Sequence, residues 1–215
     1  MKEEMTVHKA LAELKTLSSR ISDKISSTDF VAVNKHSNTK VKGVSIPEVA
    51  EKAKADYQSI RTLINRRDAI KRAIIKSNAL TEVEISGKKY TVAEAIDMKA
   101  NGVVYLNDLA NQLHSQYAFA VRKMDAENGE RLDSRADEYI KSLYSGSELK
   151  NMSDEISKVR DAFIATQTLD IIDPIDAAKE SERIKDEIAA FMSDVDSALS
   201  VSNALTIIKF EYETM

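Results

Sequence analysis

The chain has 215 residues, a net charge of -4, and 43% hydrophobic against 31% charged residues, enough apolar material to bury a core without a global pull towards nucleic acid. It contains no cysteine, which excludes disulfide scaffolds, thiolate metal sites and cysteine nucleophiles and fits a reducing cytoplasm. Five glycines and two prolines leave few tight turns, the opening MKEEMTVHKALAELK lacks the apolar core of a signal peptide, and no stretch approaches the roughly 20 apolar residues of a membrane span.

Long helices are therefore expected. The first runs from Thr6, its N-cap, to Ile25, with Val7, Leu11, Leu14, Leu17, Ile21 and Ile25 at the three- and four-residue steps of one helical face. FVAV (30–33) and TKVKGVSI (39–46) follow as short Val-rich strands. Pro47 opens the second helix behind Ser45 as cap. Its apolar side carries Val49, Ala53, Tyr57, Ile60, Leu63, Ile64, Ile70 and Ile74, and it continues to Asn78 over roughly 50 Å.

TEVEISGKKYTV (81–92) is the clearest hairpin signal: Val83 and Ile85 alternate with Glu82 and Glu84, Ser86-Gly87 turns, and Tyr90 and Val92 return. Thr91, with Glu94 three residues on, caps the third helix, which carries Val92, Ile96, Val103, Leu106, Leu109, Leu113, Tyr117 and Val121. Asn101-Gly102 is a point for a kink, and Asn128-Gly129 a stronger point for a break. A segment from Leu132 to Tyr144 closes at Ser145-Gly146-Ser147, and a further helix spans Asp154 to Gln167. TLDII (168–172) reads as a strand. Asp173-Pro174 starts the last helix, with Ile184, Ile188, Phe191, Val195 and Leu199 on its face, ending at Ser202-Asn203 before a strand LTIIKFEY.

Ser-Asn-Ala-Leu-Thr occurs twice, at 77–81 and 202–206, each time between a long helix and a strand. Asn near a helix end is a physical stop signal. Residues 46–85 and 172–210 then read either as a structural repeat or as two helix ends that converged on one stop signal, with His36-Ser37-Asn38-Thr39 as a third, weaker copy before a strand. The fold class is mainly α: a single elongated helical bundle over 1–215, with small β-hairpin and strand elements at the helix ends and a break near 128–147.

Candidate chemistry is sparse. Gly87-Lys88-Lys89 lacks the glycine spacing of a phosphate loop and reads as a hairpin turn. His8, His36 and His114 fall on separate elements, and Asp133, Asp137 and Glu138 read as a solvated acidic face. Asn151-Met152-Ser153 matches a glycosylation sequon and is read as chance. No nucleophile motif is visible, so no catalytic residue, metal or cofactor is assigned and the reading is non-enzymatic.

Binding is the better prospect. Residues 61–76 hold Arg61, Arg66, Arg67, Lys71, Arg72 and Lys76 against one acid, Asp68, while 170–196 holds nine acids against three bases, so the two helices are expected to pair. The strand residues Ile207, Ile208, Phe210 and Tyr212 are too apolar to fray and are expected to pair with 81–85 or with a neighbouring subunit. The stretch 61–76 is the alternative nucleic-acid surface, disfavoured because no aromatic residues interleave its charges.

The stretch LINRRDAIKRAIIKSNALTEVEISGKKYTVAEAIDMKA resembles uncharacterised bacterial and prophage helical-hairpin proteins, including the septicolysin-like family, through Asn78-Ala79, Thr81, Gly87, Thr91, Glu94, Ala95 and Ile96. The resemblance covers about 40 residues, and this chain adds a whole C-terminal repeat. It implies a phage or prophage setting, a helical hairpin and no catalytic residues. The expectation is a structural or interaction component of a phage-derived particle, made in the host cytoplasm and carried in the virion, whose partners are copies of itself or other particle subunits, with no membrane partner. The alternative is a phage regulator that occupies one host protein.

Overall fold

The computed structural model describes residues 1–144, 146 and 154–214. Among them, β1 (Lys2–Thr6) leads into α1 (Val7–Ser27), and β2 (Lys40–Val41) and β3 (Val44–Ser45) precede α2 (Ile46–Leu80). β4 (Glu82–Ile85) and β5 (Lys88–Thr91) precede α3 (Val92–Asp97), a π turn at Met98–Gly102, and α4 (Val103–Glu127). Then follow α5 (Glu130–Leu143), α6 (Asp154–Gln167), α7 (Ala177–Leu205) and β6 (Ile207–Glu211). The protein is mainly α with small antiparallel strand pairs, as the sequence implies. None of the described helices is long and apolar enough to cross a membrane. Ser145, Ser147 and the sequon at 151–153 lie outside the described residues.

The helix starts are where local chemistry puts them. The Thr6 side chain accepts from the Lys9 N–H. Ser45 with Glu48, and Thr91 with Glu94, form full capping boxes, each satisfying two orphan N–H groups. The expected kink at Asn101-Gly102 is the π turn, where glycine weakens the helical ladder. The break at Asn128-Gly129 is real: Gly129 sits at φ 66, which helical geometry does not permit.

The chain groups into two compact units, Met1–Asn101 with Ala190–Met215, and Gly102–Ala189. In the first, Met5, Val7, Ala10, Leu17, Ile21, Ala69, Ile70, Ile74, Ile208 and Phe210 form one core, drawn from β1, α1, α2 and β6. Ile85, Val92, Ala95 and Val195 are also buried there, and Tyr90 meets Phe191 edge-on with ring centroids 5.7 Å apart. In the second, Leu132, Ala136 and Ile140 line the buried face of α5, and Tyr139 stacks on Phe163 of α6 at 4.6 Å. The Ser181 hydroxyl, fully buried, donates to the Ala110 carbonyl at 2.8 Å.

Several expectations are corrected. FVAV is not strand and pairs with none among the described residues. TLDII is not a strand either: the Asn128 side chain accepts from the Leu169 N–H at 2.9 Å and donates to its carbonyl at 3.0 Å, supplying both bonds a ladder partner would give. Only Lys40–Val41 and Val44–Ser45 of TKVKGVSI are strand. The last helix starts at Ala177, three residues beyond Pro174, because Asp173 accepts from the Ala177 N–H and Asp176 takes φ 54. Leu11, Ile25 and Tyr57, expected in apolar seams, are exposed, and of all 25 residues of α4 only Ala110 is buried.

The three hand-over points share one pattern. The strand after each Thr pairs antiparallel with a strand ending in a hydroxyl N-cap: Thr81 with Thr91, Thr206 with Thr6, and Thr39 with Ser45. The register is the same each time, the residue after the first Thr facing the cap: Glu82 faces Thr91, Ile207 faces Thr6, and Lys40 faces Ser45. The next N–H then closes back on that Thr carbonyl: Val92 to Thr81 at 2.9 Å, Val7 to Thr206 at 2.9 Å, and Ile46 to Thr39 at 3.3 Å. SNALT ends each helix from inside it: α2 and α7 run through Leu80 and Leu205, and the Thr N–H donates to the Ser77 or Ser202 carbonyl. In the two continuous hairpins, Lys42-Gly43 and Ser86-Gly87 both take positive φ, the backbone of the tightest two-residue turn.

Candidate interaction surface

The ten residues singled out in the sequence separate into those turned inward and those left outside. Ile208 and Phe210, at 4% and 6% exposure, alternate into the core from β6, and Ile207, at 60%, faces out. The strand pairs as expected, but with β1 rather than with 81–85: Met5 lies opposite Ile208 and Glu3 opposite Phe210.

Arg66 lies in the middle of this closure. From α2 its guanidinium forks onto both carboxylate oxygens of Glu3 on β1, one of them at 2.8 Å, and donates to Glu13 of α1 at 2.5 Å. It also donates to the Tyr212 hydroxyl at 2.7 Å, which in turn donates to Glu3 at 3.0 Å. The same cation lies over the Tyr212 ring at 5.1 Å and the Phe210 ring at 5.8 Å. Hydrogen bonds from Arg66, helped by Tyr212, hold the Glu3 carboxyl below its ordinary pKa, and Glu3 and Glu13 hold Arg66 above its own. One side chain therefore ties three elements together through a planar fork that lysine cannot reproduce.

The acids that neutralise Arg66 thus come from β1 and α1. The expected pairing between 61–76 and the acidic last helix is not what the described residues show. Arg67 pairs with its neighbour Asp68 at 2.9 Å, and Arg61 is half-buried with a buried Nε that finds no partner among the described residues. Lys71, Arg72 and Lys76 are exposed and form no ion pair among the described residues. With Asn65, Ile75 and Tyr212, Lys71 and Arg72 border a groove of about 790 Å³. Acids on α7 bind the hairpin side instead: Asp194 accepts from Ser86 at 3.0 Å, and Asp196 pairs with Lys99.

The remaining sequence candidates find structural places. Ser86-Gly87 is a hairpin turn. Asp133 and Asp137, read as merely solvated, hold Arg160 of α6 at 2.9 and 2.8 Å. His8, His36 and His114 are exposed and apart, and the described residues contain no cluster of three or more metal-ligating side chains.

Sequence reasoning missed β1 altogether, and with it Glu3 and Glu13. The signal was present: Thr6-Val7-His8-Lys9-Ala10 and Thr91-Val92-Ala93-Glu94-Ala95 share Thr-Val-x-x-Ala, and the second copy follows a strand already recognised. Val7 and Val92 are equally buried, and so are Ala10 and Ala95.

No protein-family model matches the chain, and neither a curated protein nor a solved structure matches it.

Arg66 of the basic stretch is committed to internal pairing, and the Tyr212 ring that borders the groove is covered by that same guanidinium. Anisotropy with single- and double-stranded DNA at physiological salt should show affinities no tighter than the non-specific range of roughly 10⁻⁴–10⁻⁶ M. Tight binding, steeply salt-dependent and lost in the triple variant Lys71→Ala, Arg72→Ala, Lys76→Ala, would restore the nucleic-acid reading.

Proposed function

We propose that the protein works by assembly, as a non-enzymatic structural or interaction component of a phage or phage-derived particle. The observation that carries the reading is α4. A 25-residue helix with one buried residue and with Val104, Tyr105, Leu109 and Phe119 exposed has apolar surface to give to another molecule. The open edges of the two-stranded sheets add unpaired backbone that a further strand can join. The phage setting rests on the resemblance carried by Asn78-Ala79, Thr81, Gly87, Thr91, Glu94, Ala95 and Ile96.

Mass spectrometry of purified particles from the source, beside light scattering of the isolated protein, tests the reading. Stoichiometric recovery in particles is the expected result. Absence from particles, with recovery on one host protein, would replace it with the regulator reading, and turnover in a broad substrate screen would overturn both.

A further inference from the structure

We infer that residues 29–35 are a β-strand whose partner is the same segment of a second copy of this chain, paired antiparallel about Ala32. The inference deepens the assembly reading and rests on it. Phe30-Val31-Ala32-Val33 has strong β propensity and follows Thr28, whose backbone is extended at φ -99 and ψ 125, yet residues 29–33 make no backbone hydrogen bond to the rest of the chain among the described residues. Val31 and Val33 are 87% and 93% exposed, among the most exposed large apolar side chains described.

The segment is held ready for pairing at both ends. At one, the Thr28 hydroxyl donates to the Lys24 carbonyl at 2.7 Å. At the other, the Asn34 amide donates to the Asn38 and Lys40 carbonyls at 3.3 and 3.2 Å. Residue alternation then turns Asp29, Val31, Val33 and Lys35 to one face. Val31 and Val33 border a groove of about 620 Å³ that Val41, Val44 and Val49 line together with polar residues such as Lys52 and Asp56, so the strand sits at the lip of a groove of mixed character.

Charge selects the occupant and the register. Antiparallel self-pairing centred on Ala32 sets Ala32 opposite Ala32, Val31 opposite Val33, and Asp29 opposite Lys35. Two-fold symmetry repeats each unlike pair. Sliding the register by one residue puts Asp29 opposite Asn34 or His36, and sliding by two puts it opposite Val33 or Ser37, so of these registers only the Ala32-centred one faces Asp29 with a lysine. Lys35 forms no ion pair among the described residues. Asp29 meets Lys42 at 3.3 Å, but both side chains are more than 80% exposed, so that contact does not hold it.

The absence of native cysteine makes the test clean. Opposed residues in an antiparallel pair have Cα atoms about 4.5–5.5 Å apart, within disulfide reach. Under mild oxidation Ala32→Cys should give a disulfide-linked dimer much faster than Thr16→Cys on the exposed face of α1. Val31→Cys alone should cross-link slowly, but rapidly when mixed with Val33→Cys. In sedimentation equilibrium Asp29→Lys should weaken self-association roughly tenfold, because like charges then face each other twice, and Asp29→Lys with Lys35→Asp should restore it. Val31→Asp with Val33→Asp should abolish it while the circular dichroism spectrum stays unchanged.

Equal cross-linking of Ala32→Cys and Thr16→Cys overturns the proposal. So does self-association that survives the double Asp variant, or a wild-type chain that stays monomeric at its solubility limit. None of these outcomes decides particle association, which mass spectrometry reads separately, so the two readings fail independently.

Discussion

Deleting residues 206–215 is expected to unfold the unit that contains α1 and α2. The deletion removes Ile208 and Phe210 from the core and leaves Met5, Val7, Leu17 and Ile74 facing water. Truncating one buried Ile or Phe to Ala alone costs about 2–5 kcal/mol, against a total stability of about 5–15 kcal/mol for an ordinary domain. The strand-pair hydrogen bonds between β1 and β6 go as well. Circular dichroism should show a large loss of helix, and limited proteolysis should open α1. Phe210→Ala gives a graded version: about 3–5 kcal/mol, or a melting point lower by roughly 6–20 °C. An unchanged melting point in the deletion variant would mean that β6 is peripheral, and the description of the core would be wrong.

The second large effect is expected at Arg66. Arg66→Ala leaves two half-buried carboxylates, Glu3 and Glu13, facing each other's charge without their cation. Breaking a fully buried pair costs about 3–5 kcal/mol; partial exposure reduces this to about 2 kcal/mol here, a melting point lower by roughly 4–8 °C. Arg66→Lys should recover less than half, since an ammonium cannot fork onto Glu3, reach Glu13 and stack on Tyr212 together. The sign with pH follows from Glu3. Its folded pKa is depressed, so the stabilisation is present above the ordinary glutamate value of about 4.3 and is lost as pH falls through the lower folded value. The difference between the wild-type protein and Arg66→Ala should therefore be full at pH 7 and shrink as pH falls below the ordinary glutamate value of about 4.3. Parallel stability curves down to pH 3 would show that Arg66 acts through packing alone.

What the sequence made legible was local. Thr6, Ser45 with Glu48, and Thr91 with Glu94 announce helix starts because a cap needs only residues three positions apart. The same holds for Ser86-Gly87, where two residues decide a turn. Strand partners were illegible for the opposite reason. The apolar pattern of residues 207–212 shows that a partner is needed but not which one, and the partner, KEEMT, hides its alternation under charge. FVAV and TLDII misled because propensity speaks for the backbone shape and is silent on whether a neighbour exists; the first has none among the described residues, and the second is served by one asparagine. The candidate site was legible in part. Arg66 was among the six cations named, but a run of like charges does not say which member turns inward, and its acids lie outside any local pattern.

Tyr212 and Glu3 are joined by a hydrogen bond across 209 positions of chain. A ribosome moving at about 5–20 residues per second finishes β1 roughly 10–40 s before it finishes β6. Through that interval α1 and α2 can form and meet, but Met5 and Val7 wait without the strand that covers them. The nascent chain thus exposes an incomplete apolar seam until β6 has left the exit tunnel, while the β4–β5 hairpin, built to the same register, closes within moments of its own emergence. The time spent translating from β1 to β6 therefore sets how long that seam stays open.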